Sequence, residues 1–71
     1  MKSKDYEINI YKDLIHIKNY NKIYDINCKS IVIKCKNKII KIIGSNLIIN
    51  KLDEYELCIA GEIKGIELLD E

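Results

Sequence analysis

The chain has 71 residues and a formal net charge of +1 at pH 7, and it contains no Pro, Phe or Trp. A domain of this length has little room for both a rigid scaffold and a deep, water-excluding active site. All of its basic residues except the single His are Lys, and a near-neutral chain without Arg lacks the basic surface that nucleic-acid binders need. The composition therefore argues against nucleic-acid binding and against an enzyme with an enclosed pocket.

The N-terminal residues 1–6 are polar and charged. Because this segment has no apolar stretch, the sequence predicts no signal peptide and a flexible N-terminus over 1–6. The longest apolar runs further along have the length of a strand and are far shorter than a membrane span. A cytoplasmic location with no membrane span is therefore the default expectation.

In the first half of the chain, apolar and polar residues alternate with a period of two, which predicts β-strands. The apolar positions of the three clearest segments are Ile8 and Ile10, then Ile15 and Ile17, then Ile31, Ile33 and Cys35. Turns are predicted at 19–21 and at 36–38, where Asn37 would tolerate the left-handed conformation of a hairpin tip. A weaker segment over 23–26 lies between these two turns.

In the second half, residues 39–43 carry Ile on both faces of the predicted strand. Further strands are predicted around 47–49, 55–60 and 62–69, with turns at 44–46 and 52–54. Gly61 permits a sharp bend. The inward-facing set then shifts register at Gly65, as a β-bulge would produce.

Six to eight short strands joined by tight turns are typical of an all-β domain. We therefore predict a single domain over residues 1–71, a small β-sheet meander curled into a sandwich or roll. A short β-solenoid is the alternative, because Ile59 to Ile66 has an Ile-x-Gly-x-Ile-x-Gly-Ile rhythm. No segment has a convincing helical period.

The sequence contains no recognisable catalytic or metal-binding motif. His16 is the only histidine and falls on the more polar side of its strand. Cys28, Cys35 and Cys58 could join His16 around a zinc ion, but structural zinc sites use close pairs such as Cys-x-x-Cys. Cys35 instead alternates onto an apolar face, where a free Cys behaves as a small buried hydrophobe. We therefore predict a non-enzymatic protein with no catalytic residues, no cofactor and no metal.

The most informative feature is the apolar character of both sides of the C-terminal half. Four residues are predicted to share the side that faces away from the main core, namely Ile39, Ile43, Ile48 and Leu52. A thin single sheet cannot bury both faces, so either two layers of the chain fold over one another or one face meets a partner. These four residues are the candidate interface, with a second copy or another protein as the partner.

Several short motifs combine into a family pattern. They are an Ile-x-Ile-x-Asn-Tyr opening (Ile15 to Tyr20), an Ile-x-Ile-Lys-x strand (Ile31 to Cys35), a segment with Ile40, Ile42, Gly44, Asn46, Leu47 and Ile49, and a segment with Glu56, Leu57, Ile59, Gly61, Ile63 and Ile66. On these motifs the stretch from Leu14 to Leu69 resembles the YabP/YqfC family of sporulation proteins. The Asn19-Tyr20 dipeptide favours the YqfC-like branch.

The resemblance implies a small non-enzymatic protein of endospore-forming bacteria that is made in the mother cell and needed for spore development. Family members are typically encoded beside a membrane protein that also acts in sporulation. The implied partner is such a membrane protein, and the implied location is the mother-cell side of the forespore surface. The expected function is that of a structural or assembly factor that acts through protein–protein contacts.

Two other functions stay open on the sequence. One is a self-polymerising β-scaffold, which the solenoid alternative would favour. The other is a metal- or redox-binding module built on the three Cys residues.

Overall fold

In the computed structural model, which describes residues 5–70, the chain forms six β-strands and no helix in that range. The strands are β1 (Glu7–Tyr11), β2 (Leu14–Lys18), β3 (Lys22–Ile26), β4 (Ser30–Cys35), β5 (Lys38–Leu52) and β6 (Glu56–Asp70). They form one open sheet in the order β1-β2-β6-β5-β4-β3, and every neighbouring pair is antiparallel. The predicted all-β class is confirmed. The antiparallel pairing excludes the β-solenoid alternative, whose strands would be parallel.

The two long strands, β5 and β6, each have 15 residues and bend together near their middles. Their pairing shifts register between Ile43 and Gly44 and again between Ser45 and Ile48. Each extra residue at such a shift is a β-bulge, which bends the strand and increases its twist. Residues 44–46, predicted as a turn between two strands, are therefore the bend within one strand, and Gly61 lies at the matching bend in β6.

The bend divides the sheet into two layers that cover each other. The first layer contains β1, β2, the first part of β6 and the last part of β5. The second layer contains β3, β4, the first part of β5 and the last part of β6. Inner-face side chains of both layers, among them Ile15, Ile17, Ile31 and Ile33, have no exposed surface and belong to one core cluster. The chain therefore buries most of its inner apolar face without another protein, although Leu52 and Leu68 on that face are 54% and 59% exposed.

The core is built mainly of β-branched Ile, which packs well on a pleated surface. Its buried members are Ile15, Ile17, Tyr20, Ile31, Ile33, Cys35, Ile40, Ile42, Leu47, Leu57 and Ile59. The alternation predicted for the first half correctly places Ile15, Ile17, Ile31 and Ile33 in the core, and the burial of Cys35 is confirmed, whereas Ile10 is 60% exposed.

The chain crosses from the first layer to the second between β2 and β3, and from there it runs as a meander to β6. Asn19 adopts a positive φ of 61°, and its backbone N–H donates to the Tyr55 carbonyl oxygen at 2.6 Å. The buried Tyr20 donates its hydroxyl hydrogen to the Asp53 carbonyl oxygen at 2.6 Å. The Asn19-Tyr20 dipeptide thus attaches the crossing segment to the turn that joins β5 and β6.

The backbone differs from the sequence prediction at one turn and agrees with it at one bulge. In the hairpin between β4 and β5, Lys36 has the positive φ (56°), whereas the sequence suggested Asn37. The predicted register shift near Gly65 is confirmed, since Gly65 pairs with Ile43 and Ile63 pairs with Gly44, which leaves Lys64 as the extra residue.

Residues 1–4 of the predicted flexible N-terminus lie outside the described range. The last two residues of that segment make contacts: the Asp5 carbonyl oxygen accepts a hydrogen bond from the Asn19 side chain, and the Asp5 carboxylate pairs with Lys36. Tyr6 packs against the core cluster. No helix in residues 5–70 is long and apolar enough to cross a membrane.

Candidate interaction surfaces

The four residues of the candidate interface lie on different surfaces of the folded chain. Ile39 and Ile43 are half-buried on the outer face of the second layer, before the bend in β5. Ile48 lies after the bend, on the outer face of the first layer, where its side chain is 59% exposed. Leu52 is in register with the buried Leu57, so it lies on the core-facing side at the exposed end of β5. The common face expected from the sequence is thus divided.

The reason for this division is the set of bulges in β5. The bend separates the outer faces of the two layers, and a further register shift between Ile49 and Lys51 moves Leu52 to the opposite side of the strand. Simple alternation cannot represent either effect, because one inserted residue exchanges the two faces of a strand.

An apolar row crosses the outer face of the first layer from one edge to the other. Tyr11 pairs with Leu14, Leu14 with Ala60, and Ala60 with Ile48. We call these four residues the outer row. Its two ends, Tyr11 and Ile48, are 56% and 59% exposed, and its centre is half-buried. Cross-strand neighbours of this kind are in side-chain contact, so the four form one continuous apolar strip.

The outer row borders a polar cluster on the same face. His16, which is directly opposite Cys58, donates a hydrogen bond from Nε2 to Glu56 Oε1 at 2.7 Å. Lys51 Nζ lies 3.7 Å from the same carboxylate oxygen. The predicted position of His16 on the polar side of its strand is confirmed. The cluster supplies charged groups beside an apolar strip, which is the usual arrangement at the rim of a protein interface.

The three cysteines are separated by the fold. Cys28 is exposed in the turn between β3 and β4, whereas Cys35 is buried at the opposite end of β4. Cys58 is half-buried on the outer face of the first layer, beside His16. The zinc site that would combine all three with His16 is therefore not assembled, and no cluster of metal-ligating side chains occurs within residues 5–70.

Two acidic side chains, Asp53 in the β5–β6 turn and Asp70 at the end of β6, have structural partners. The carboxylate of Asp53 accepts hydrogen bonds from the backbone N–H groups of Tyr55 and Glu56, at 2.9 and 2.8 Å. These two bonds, that from Tyr55 first, hold the pKa of Asp53 below its usual value. Asp70 pairs with Lys38 across the two long strands. The part of the chain that is described encloses no pocket.

The last part of β6 forms an open edge of the sheet. Residues 65–70 pair with residues 38–43 of β5 on one side, and no other described strand pairs with them. Leu68 and Leu69, on opposite faces of this edge, are 59% and 49% exposed. An edge with unpaired backbone groups can add a further strand.

Sequence reasoning did not identify the outer row or this edge. Tyr11 and Leu14 flank the turn between β1 and β2, but Ile48 and Ala60 lie far from them in the chain, and only the pairing of the strands brings all four together. No signal in a single strand indicates such a row. Leu68 follows the predicted inward alternation but is 59% exposed.

The residues on which the family resemblance rests are mainly structural. Ile40, Ile42 and Leu57 are buried in the core, and Gly44 and Gly61 form the bend. The family motifs therefore consist mainly of residues that form the scaffold, and the interaction surfaces are formed mainly by other residues. No family model, no curated protein and no solved structure matches the chain.

Proposed function

We propose that this domain is a non-enzymatic structural or assembly factor in endospore formation, and that it binds a sporulation membrane protein through the outer row. The observation that carries the proposal is the continuous strip from Tyr11 to Ile48 on the outside of a sheet whose inner face is already covered. The resemblance to the YabP/YqfC family supplies the cellular process and the class of partner.

The physical argument concerns the burial of apolar area. Covering the exposed ends of the outer row would remove apolar surface from water, at about 25 cal/mol for each Å². Tyr11 combines a large apolar ring with a polar hydroxyl, a type of residue that is enriched at interface hot spots. His16, Glu56 and Lys51 beside the strip would form part of the polar rim.

In this proposal the partner determines where the domain acts. A protein on the mother-cell side that binds a membrane protein would be held at the forespore surface without a membrane span of its own. Such a factor would contribute to assembly by contact alone, so its loss should affect spore formation and leave vegetative growth unchanged.

The test is co-purification with the sporulation membrane protein that the family resemblance implies is encoded beside its gene. Ile48→Lys introduces a charge into the outer row at a side chain that is already 59% exposed, so the fold should persist. Ile26→Lys is the matched control, because Ile26 is an exposed Ile on β3, outside the row. We expect Ile48→Lys to lose the partner and Ile26→Lys to retain it.

The same two variants test the cellular function. In a strain that lacks the protein, the wild type and Ile26→Lys should restore heat-resistant spores, and Ile48→Lys should not. Normal spore counts in the strain lacking the protein would contradict the sporulation function. Equal co-purification of both variants would show that the outer row is not the binding surface.

A further inference from the structure

Among the open edges of the sheet that residues 5–70 form, the last part of β6 offers the longest uninterrupted ladder. The pairing of β3 shifts register between Ile23 and Asp25. The last part of β5 contains two register shifts, one before Ile48 and one after Ile49. Bulges of this kind protect an edge from adding another strand. β1 is regular but has only five residues. Residues 65–70 of β6 pair without interruption, so their outward side presents a regular set of backbone groups.

Gly65 follows the bulge at Lys64, but packing within the single chain does not exclude a side chain there. At Gly44 and Gly61, an added Cβ atom would lie 2.0 and 2.6 Å from backbone oxygens, so the packing of the two long strands excludes a side chain there. At Gly65 an added Cβ would meet no atom within 4 Å, and φ is not positive. Glycine inside a strand weakens it and often marks the close approach of another chain.

We propose that residues 65–69 of β6 pair antiparallel with the same residues of a second copy, in a two-fold dimer centred on Glu67. In this register Gly65 lies opposite Leu69 of the second copy. Leu69 is 49% exposed on the same outer face, next to Ile39. Its side chain would occupy the open space over Gly65 and contact Ile43. Residues 65–69 thus contain both the open space, over Gly65, and the side chain that would fill it, Leu69. A second copy of the same chain is therefore the partner that fits this edge.

The inner face of the same edge is also self-complementary. With Glu67 at the centre, Ile66 lies opposite Leu68 of the second copy, and Leu68 lies opposite its Ile66. The two residues lie in register with the buried Ile42 and Ile40 of β5. The dimer would therefore extend two buried apolar rows across the junction, and it would cover the 59% exposed Leu68.

The centre of the junction carries four charges. Glu67 of each copy faces the other, and each is in register with Lys41 of its own β5. The row reads Lys41, Glu67, Glu67 of the second copy and Lys41 of the second copy, with no net charge. Opposite charges in adjacent cross-strand positions attract and like charges repel. This row makes the register testable by exchanging a charge.

The pairing is isologous, so it closes on itself. A two-fold axis uses the same edge on both copies and leaves no unpaired copy of that edge for growth. The second layers of the two copies would form one eight-stranded sheet. A closed dimer of this kind differs from the polymer expected of a self-assembling scaffold, and it leaves the outer row of each copy open.

The first experiment measures the mass of the domain by sedimentation equilibrium across a range of concentrations. We expect the wild type to dimerise, and Gly65→Val to be a folded monomer, since the new side chain fills the space that Leu69 would occupy. Leu68→Lys should also be monomeric. Ile10→Lys is the matched control, because Ile10 is 60% exposed at the β1 edge, and it should dimerise as the wild type does.

A wild-type domain that is monomeric at about 1 mM would overturn the proposal, because a specific dimer should have a dissociation constant well below about 1 mM. Loss of dimerisation in Ile10→Lys but not in Leu68→Lys would assign the dimer to β1 and overturn it as well. Circular dichroism of each variant establishes that a monomer is folded. If Gly65→Val fails to fold, Leu68→Lys carries the test.

The second experiment tests the register with Glu67→Lys. Alone, this variant places four lysines in the central row, so its dimer should be at least about tenfold weaker than that of the wild type. Mixed with the wild type, it should form heterodimers in preference to either homodimer, because each glutamate then faces a lysine. A mixture without such preference would contradict the register. Both experiments use the isolated domain and leave the outer row unchanged, so they are independent of the proposed sporulation function.

Discussion

Gly61 lies directly against the backbone of Asn46, so close that a Cβ atom added to Gly61 would come within 2.6 Å of the Asn46 carbonyl oxygen. Gly61 also has a φ of 130°, which residues with a side chain rarely adopt, and Asn46 has a positive φ of 54°. These two residues face each other across the bend of the long hairpin. The two-layer fold depends on this contact, because the bend brings the two halves of the sheet together.

Gly61→Ala should destabilise the domain strongly. Strain at such a backbone conformation costs about 1–3 kcal/mol, and the clash with Asn46 adds to it. For a small domain of marginal stability this loss is a large fraction of the total. Gly65→Ala is the matched control and should be neutral or should stabilise the monomer by about 0.5–1 kcal/mol. Urea unfolding at low protein concentration measures both, and equal midpoints for the two variants would refute this account of the bend.

Tyr20→Phe should lower the free energy of unfolding by about 0.5–1.5 kcal/mol, because it removes the hydrogen bond to the Asp53 carbonyl oxygen. Burial raises the pKa of the Tyr20 hydroxyl, and the carboxylates of Asp53 and Glu54 raise it further. The stability from this group is therefore present below the unfolded pKa near 10 and is lost as the pH rises through the folded pKa. The wild type should lose more stability than Tyr20→Phe above about pH 10, as thermal melts over that range would show.

Asp53→Ala should lower stability at pH 7, because the N–H groups of Tyr55 and Glu56 lose the acceptor that closes the turn. The pKa of Asp53 is lowered by these two bonds. Its contribution is therefore present above the unfolded pKa near 4 and is lost as the pH falls through the lower folded pKa. Melting temperatures of the wild type and Asp53→Ala should converge as the pH falls below about 4. Glu54→Ala, in the same turn, is the control, and a constant difference at all pH values would argue against this role of Asp53.

The three thiols should react with a disulfide reagent in a fixed order. Cys28 is exposed, Cys58 is half-buried and Cys35 is fully buried, so Cys28 should react first and Cys35 only on unfolding. Mass spectrometry of the labelled peptides gives the order. Replacing Cys28 and Cys58 with Ser should leave the melting temperature nearly unchanged, whereas Cys35→Ser should lower it, because it places a hydroxyl in the core. A melting temperature that falls on adding a chelator would contradict this role of the cysteines and restore the metal-binding hypothesis.

Local alternation predicted most of the scaffold correctly. Ile15, Ile17, Ile31 and Ile33 are buried as their period-two spacing predicted, because each lies in a short strand with one covered face. Gly61 was correctly expected to permit a bend. The register shift beside Gly65 was also predicted, since the inward apolar residues change their spacing there.

What could not be predicted depends on how separate strands are placed beside one another. Residues 44–46 contain Gly, Ser and Asn, which are as common in turns as in bulges, so the sequence did not distinguish a turn from a bent strand. Because the bend was predicted as a turn, the candidate interface placed Ile48 and Leu52 on the same side as Ile39. In the structure Ile48 lies on the outer face of the other layer, and Leu52 lies on the core-facing side. The outer row needs the register of three strand pairs, and alternation within one strand contains no information on register.

The pairing of β2 with β6 has a consequence for the order in which the domain can be made. β2 lies near the start of the chain, and the residues that pair with it lie near the end, at 56–60. During translation, Ile15 and Ile17 are therefore made before the strand that covers one side of them. Contacts so distant in sequence slow folding, and an uncovered apolar strand is prone to aggregate while it waits. We expect the nascent chain to depend on chaperones until β6 is available to pair with β2.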